Sequence, residues 1–123
     1  MIINKVVHGG PAFNIPGHLS FAQYIVDKLR ENSEKEEFAL INGETGAKTT
    51  FKQIFTETIK AATGLKKLGI KRGDVVGVCS ENRDEYIAAV LAVICCGATV
   101  STFNILYTKE QAQLTINITE YYL

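Results

Sequence analysis

Hydrophobic residues recur at helical spacing in two segments of the first half of the chain. The first predicted helix starts after Ser20, which can cap it, and ends in the polar stretch 32–37. The second follows Thr50, whose spacing to Gln53 is that of a reciprocal capping box, and is ended by Gly69. The apolar positions are Ala22, Ile25, Val26 and Leu29 in the first helix and Phe51, Ile54, Phe55, Ala62, Leu65 and Leu68 in the second.

Between these helices, a short apolar run over residues 38–41 and a second extended run over residues 48–50 predict a β-hairpin. The segment Asn42-Gly43-Glu44-Thr45-Gly46 between them is expected to form the turn. The Asn-Gly pair within it suits the positive φ angles of a tight hairpin turn.

A strand, a helix and a second strand are predicted over residues 75–101. Residues 75–79 form a continuous apolar strand, which is typical of a strand covered on both faces. A helix is expected over residues 83–96, capped by Asn82, and it is apolar all round from Tyr86 onward. Residues 98–101 form the next strand. This βαβ pattern predicts the α/β class, with a parallel sheet and a helix buried between two layers.

The last part of the chain carries two conflicting patterns. The spacing of Thr108 and Gln111 is that of a capping box and predicts a helix. Apolar residues then alternate with polar ones over residues 114–119, which is the periodicity of a strand. The assignment of residues 112–123 stays open.

Composition narrows the class of protein. The chain has 123 residues, 13 Lys and Arg against 13 Asp and Glu, and 46% hydrophobic residues. These values are those of a globular chain and exclude intrinsic disorder. A sequence pI of about 6.7 argues against a nucleic-acid partner. The apolar run 86–100 is too short for a membrane span of about twenty residues.

Candidate chemistry is sparse. The sequence has no GxGxxG and no Gly-Lys-Ser phosphate loop, and the turn Ser80-Glu81-Asn82 lacks glycine. Helix N–H groups there could attract an anion, but simple capping is the plainer interpretation. Lys71-Arg72 is interpreted as a solvated turn, and His8 and His18 as surface residues. Cys79, Cys95 and Cys96 are interpreted as buried thiols outside any disulfide framework or metal site. No catalytic, cofactor-binding or metal-binding residue is assigned.

The order of short motifs nevertheless resembles that of adenylate-forming enzymes, namely acyl-CoA synthetases, 4-coumarate–CoA ligases and beetle luciferases. The matching motifs are Thr50-Phe51, Leu68-Gly69, Gly73-Asp74-Val75-Val76, Ser80-Glu81-Asn82, Gly97-Ala98, Asn104 and Tyr107-Thr108, with His8-Gly9-Gly10-Pro11 near the start. Two departures are the absence of a proline near Thr102 and the loss of the pattern after Gln111.

The resemblance implies that residues 1–123 are the N-terminal portion of an AMP-dependent synthetase/ligase domain. In that family a carboxylic acid is adenylated with ATP and Mg²⁺ and is then transferred to CoA. The phosphate loop and catalytic lysine of the family have no counterpart here, so the chain is expected to be inactive alone and to hold none of these cofactors. The resemblance also implies a cytoplasmic or peroxisomal location, although the chain has no Ser-Lys-Leu tail.

Other functions stay open beside the ligase fragment. The chain could be a non-catalytic interaction module derived from such an enzyme, a fragment of a luciferase-like monooxygenase, or an unrelated small α/β binding domain. If the buried helix lost one of its two covering layers, the lost apolar burial would lower the stability by an amount on the order of 10 kcal/mol. We therefore expect an isolated chain that is marginal in stability, unfolded or self-associating through exposed apolar surface.

Overall fold

Helices and strands alternate along the chain in the computed structural model, which describes residues 2–3, 6–7 and 16–122, with side chains for residues 16–117. The strands pair as three two-stranded sheets, of which β1–β2 and β3–β4 are antiparallel and β5–β6 is parallel. The predicted α/β class is confirmed. The elements are β1 (Ile2–Ile3), β2 (Val6–Val7), α1 (Phe21–Ser33), β3 (Phe38–Ile41), β4 (Lys48–Thr50), α2 (Phe51–Lys67), β5 (Val75–Cys79), α3 (Asp84–Cys95), β6 (Thr99–Phe103) and α4 (Lys109–Tyr122).

The ends of α1 and α2 follow the local signals in the sequence. The Ser20 hydroxyl accepts a hydrogen bond from the Gln23 N–H at 3.2 Å. Thr50 and Gln53 form the full reciprocal capping box. Gly69 has a φ of +95°, a left-handed conformation that favours glycine just after a helix. The predicted caps and stop of these two helices are confirmed.

The predicted hairpin is confirmed, and its turn lies in the expected segment 42–46. The Asn42 N–H donates to the Ala47 carbonyl at 2.8 Å, so the loop spans the residues between them. The Asn42 side-chain oxygen accepts from the N–H groups of Glu44 and Thr45, each at 3.0 Å. Positive φ falls on Gly46, at +70°, and not on Gly43. The positive φ expected at the Asn-Gly pair is therefore not found at Gly43, because the Asn42 side chain organises a loop in which Gly46 takes this conformation.

The predicted βαβ unit is confirmed with small shifts. Strands β5 and β6 pair in parallel, with Val75 opposite Thr99 and Cys79 opposite Phe103. Helix α3 starts at Asp84, and its N-cap is Arg83, whose side chain makes no capping hydrogen bond. The prediction of Asn82 as the cap was therefore wrong.

Helix α3 lies at the centre of the described structure. None of residues 86–96 is exposed. One apolar cluster joins α3 to α2 and to the β5–β6 sheet, through Ala92, Ala62 and Val76 among others. The other joins α3 to α1, α2 and β3, with Leu91 packed against Leu29 and Ile54. The buried helix is confirmed, with apolar clusters packed against it on two sides.

The outer face of the β5–β6 sheet is open in the described structure. Exposure alternates along β5, with Val75, Gly77 and Cys79 exposed, while Val76 and Val78 are half-buried. The prediction that both faces of this strand are covered was therefore wrong for the described residues. The Phe103 ring lies over Gly77 on the outer face, since a Cβ added to this glycine would fall 2.9 Å from it.

The tail forms a helix. The Thr108 hydroxyl accepts from the Gln111 N–H at 3.3 Å, and the Gln111 side chain accepts from the Thr108 N–H at 2.9 Å. This box starts α4, which continues through the alternating segment, so the strand signal was misleading. Leu114 and Ile116 are 60% and 41% exposed, because the alternating apolar residues spread around the helix. Among the described helices, none is both long and apolar enough to cross a membrane.

Candidate functional site

The carboxyl ends of β5 and β6 meet at one edge of the parallel sheet. Ligands of open α/β sheets bind at this kind of edge, outside the carboxyl ends of the strands. The segment 80–82 follows β5 and the segment 104–107 follows β6. Together with Tyr86 of α3 they line an open cavity of about 570 Å³. We take this cavity, here called the strand-end cavity, as the candidate functional site.

The β6 side of the strand-end cavity is a turn built by its own side chains. The Asn104 side-chain oxygen accepts from the Leu106 N–H at 2.9 Å, and the Asn104 carbonyl accepts from the Tyr107 N–H at 3.1 Å. The capping box of Thr108 follows directly and fixes the start of α4. The turn therefore presents the exposed side chains of Ile105, Leu106 and Tyr107 around the cavity.

The β5 side leads into the first turn of α3. The Ser80 hydroxyl donates to the Glu81 carbonyl at 2.9 Å. Asp84 accepts a hydrogen bond from the Thr49 hydroxyl at 3.0 Å, which ties the β3–β4 hairpin to this helix terminus. The pKa of the exposed Glu85 carboxyl is lowered, first by a hydrogen bond from its own backbone N–H and then by Arg83.

The carboxylates at the start of α3 make this helix terminus unfavourable for a bound anion. Asp84 and Glu85 occupy the first turn, where carboxylates interact favourably with the helix dipole. Their negative charges would repel a phosphate at the same position. Ordinary stabilisation of the helix terminus by its own acidic residues therefore explains this end of α3 without a bound anion.

The three cysteine thiols, which are the candidate nucleophiles, do not line the strand-end cavity. Cys96 is buried, with its thiol donating to the Ala62 carbonyl at 3.5 Å. Cys95 is half-buried, and its pKa is raised by burial first and by the neighbouring Cys96 next. Cys79 is exposed at the end of β5, so the prediction that all three thiols are buried was wrong for this residue. The outward position of Cys79 follows from strand alternation.

The two histidines and the basic turn contribute no site. His18 is exposed, as expected, and His8 lies outside the described residues. Lys71 and Arg72 are exposed in a turn that is closed by a hydrogen bond from the Lys71 N–H to the Asp74 carboxylate at 2.9 Å. Within the described residues no three His, Cys, Asp or Glu side chains are grouped to hold a metal ion.

Sequence reasoning assigned no site residue, and the strand-end cavity was missed. The signal was present, because two consecutive parallel strands must end at one edge, which brings Ser80 and Asn104 together across 24 positions of sequence. The cavity itself could not be predicted from the spacing of residues in the sequence, because it depends on how Tyr86 and the turn after β6 pack.

Comparison with known proteins agrees with the motif order. The family model for AMP-binding enzymes matches residues 28–121. A 4-coumarate–CoA ligase of Humulus lupulus is 37% identical over 101 residues, covering 82% of this chain and 18% of the ligase. A 4-coumarate–CoA ligase of Arabidopsis thaliana is 34% identical over 101 residues, which again cover 82% of this chain and 18% of the ligase. The chain thus spans about 18% of the length of the curated relatives it matches.

One solved structure gives the same fold. The luciferase-like enzyme from the nonluminescent mealworm Zophobas morio superposes with a TM-score of 0.77 at 21% identity, covering 86% of this chain and 26% of that enzyme. At this identity the likeness concerns the fold alone. The family match extends over most of the chain and includes every element from α2 to β6. The chain therefore belongs to the family of AMP-binding enzymes, also called adenylate-forming enzymes.

Proposed function

We propose that this chain is the N-terminal part of an ATP-dependent acyl-CoA synthetase, where it serves as scaffold for catalytic groups carried elsewhere. In the proposed reaction a carboxylate oxygen attacks the α-phosphorus of ATP and pyrophosphate leaves. The thiol of CoA then attacks the acyl carbon, and AMP leaves. The observation that supports this proposal is the 37% identity to a 4-coumarate–CoA ligase over most of the chain.

The residues present do not fit the binding of ATP and Mg²⁺ by this chain alone. The sequence has no glycine-rich phosphate loop, and the described side chains offer no cluster of metal ligands. The acidic first turn of α3 is unfavourable for phosphate. We infer that the strand-end cavity contributes a wall to a larger site, whose phosphate-binding and catalytic groups come from the rest of the domain.

A chimera tests this scaffold role. The segment of the Humulus lupulus ligase that aligns with residues 28–121 of this chain is replaced by those residues. CoA thioester formation from hydroxycinnamic acids is then measured by absorbance. We expect activity in the chimera and none in the ligase from which the segment is deleted. A chimera that folds and binds ATP but forms no adenylate would contradict the proposal.

The isolated chain provides the complementary measurement. ATP–pyrophosphate exchange is expected to stay at background for the 123-residue chain with any carboxylic acid, because the groups that bind the phosphates are lacking. Measurable exchange that survives repurification would show that catalysis resides in this chain, and it would overturn the proposed division of roles.

We also propose that the isolated chain self-associates, or docks on a larger relative, as a non-catalytic module. The support is the open outer side of β5–β6, where Val75 is 40% exposed beside exposed Cys79. Sedimentation at several concentrations tests it, and a chain that stays monomeric throughout would contradict self-association. A cytosolic or peroxisomal location is part of the same family-based proposal, and imaging of a fluorescent fusion would decide between the two.

A further inference from the structure

Gly77, in the middle of β5, lies under the ring of Phe103. The two parallel strands pair with Cys79 opposite Phe103, so Gly77 lies on the same face of the sheet, two residues before Cys79. A Cβ added to Gly77 would fall 2.9 Å from Cε2, 3.5 Å from Cδ2 and 3.7 Å from Cζ of Phe103. All three atoms belong to the ring, so the glycine accommodates a movable side chain and not another backbone.

The backbone conformation does not explain why residue 77 is a glycine. Among the described glycines, positive φ values occur at Gly46, Gly69, Gly73 and Gly97, and Gly77 is not one of them. It lies in a regular strand, where glycine weakens the strand and often marks the close approach of another group. The close approach here is that of the Phe103 ring, so the contact with this ring is what the glycine provides.

Phe103 also borders the strand-end cavity. It is the last residue of β6, directly before Asn104, and it is among the residues that line the cavity. The ring reaches back from the end of β6 to Gly77, which precedes the residue opposite Phe103. The ring therefore points along the sheet away from the strand ends, and this is the direction that leaves the cavity free.

We propose that Gly77 sets the free space of the strand-end cavity, because it gives the Phe103 ring a position on the sheet away from the cavity. The pair then determines which reactant group the cavity admits, an inference that rests on the proposed function. A side chain at position 77 displaces the ring toward the strand ends, where it takes up part of the 570 Å³. Gly77 is a positioning residue, since it acts only through Phe103.

The lining of the strand-end cavity indicates which kind of group it admits. Glu81 is the one charged residue among the described residues that line it, while Tyr86, Ile105 and Tyr107 contribute aromatic and aliphatic surface. A carboxylate repels phosphate, and a lining of this kind suits an uncharged, partly apolar group. ATP, a hydroxycinnamic acid and CoA each contain such a group, so the measurement has one arm for each reactant.

Steady-state kinetics of the ligase chimera test the role of Gly77. The KM and kcat values for ATP, 4-coumarate and CoA are measured in the unmodified chimera and in its Gly77→Ala variant. We expect the KM of one reactant to rise about fivefold or more, because the displaced ring overpacks the cavity that this reactant enters. The kcat value and the other two KM values should stay within about twofold, since binding common to the ground state and the transition state is what is lost.

Removal of the ring separates its displacement from damage to the sheet. Gly77→Ala combined with Phe103→Ala leaves no ring to displace, so the raised KM should return to within about twofold of the unmodified chimera. A strand damaged by the added methyl group would not be repaired by a second truncation. Gly64→Ala is the matched control, because its Cβ meets open space on α2, and it should leave all three KM values within about twofold.

Thiol labelling follows the position of the ring. In a Cys79→Ser background, Ser80→Cys places a thiol on the lining of the cavity. Alkylation of residue 80 by iodoacetamide, measured by peptide mass spectrometry, should become about threefold slower or more with Gly77→Ala, because the ring then shields the thiol. Adding Phe103→Ala should restore the rate.

The outcomes distinguish the role of Gly77 from the scaffold role of the chain. An unmodified chimera without activity overturns the proposed function and the role of Gly77 together. In an active chimera, the role of Gly77 is overturned, and the proposed function stands, if Gly77→Ala changes no KM or raises all three alike. A lowered kcat alone, a raised KM that Phe103→Ala does not restore, or an unchanged labelling rate at residue 80 would overturn it equally.

Discussion

A buried hydroxyl at the centre of the molecule gives the sharpest test of how the core is packed. Thr58 lies on the inner stripe of α2 with Ile54 and Ala62, one turn from each. It is 0% exposed, and among the described residues its hydroxyl oxygen has no hydrogen-bond partner. Thr56 and Thr63 on the outer side of the same helix donate to the carbonyls of Lys52 and Ile59, each at 2.8 Å. Thr58 is thus the exception on this helix.

The expected change in the free energy of unfolding follows from the cost of burying a hydroxyl without a hydrogen-bond partner. This cost is about 1–3 kcal/mol, and valine replaces threonine with nearly the same shape and similar helix propensity. We expect Thr58→Val to raise the free energy of unfolding by about 1 kcal/mol, a sizeable part of a net stability of roughly 5–15 kcal/mol. Thr58→Ala should lower it instead, because it leaves a cavity between α2 and α3.

The assay is urea unfolding followed by circular dichroism, at one protein concentration low enough to limit self-association. The matched control is Thr56→Val, which removes an exposed hydroxyl that already has a partner and should change the stability by less than about 0.5 kcal/mol. If Thr58→Val destabilises the chain by 1 kcal/mol or more while Thr56→Val does not, the Thr58 hydroxyl has a partner and the reasoning is refuted.

Two further predictions concern the glycines and the thiols. Gly97→Ala should cost about 1–2 kcal/mol, because its φ is +74° and the added Cβ would lie 3.4 Å from Arg72. Gly64 lies in α2, is exposed and has open space around it, so Gly64→Ala should raise the free energy of unfolding by up to about 1 kcal/mol. Equal effects of the two substitutions in urea unfolding would contradict this expectation. With iodoacetamide, Cys79 should be alkylated before Cys95. Burial raises the pKa of the Cys95 thiol, so its thiolate fraction is low at neutral pH and its labelling should rise only in alkaline buffer, as peptide mass spectrometry would detect; faster labelling of Cys95 at neutral pH would contradict the burial.

The features predicted correctly from the sequence depend on residues a few positions apart. The caps at Ser20 and Thr50 and the stop at Gly69 each use a side chain and a backbone group within one turn, so the pattern contains the whole interaction. The burial of α3 was equally predictable from the sequence, because a helix that is apolar from Tyr86 onward has no polar face to expose to solvent.

The wrong predictions concern features that are determined by contacts between residues far apart in the sequence. The start of α3 at Asp84 is held by the Thr49 hydroxyl, which is 35 positions away, and no local rule could choose it over Asn82. The alternating tail is a helix because the box at Thr108 sets its start and because the described structure offers no strand that pairs with it. The strand-end cavity follows the same logic, since both of its sides were visible as motifs but their meeting depends on strand pairing.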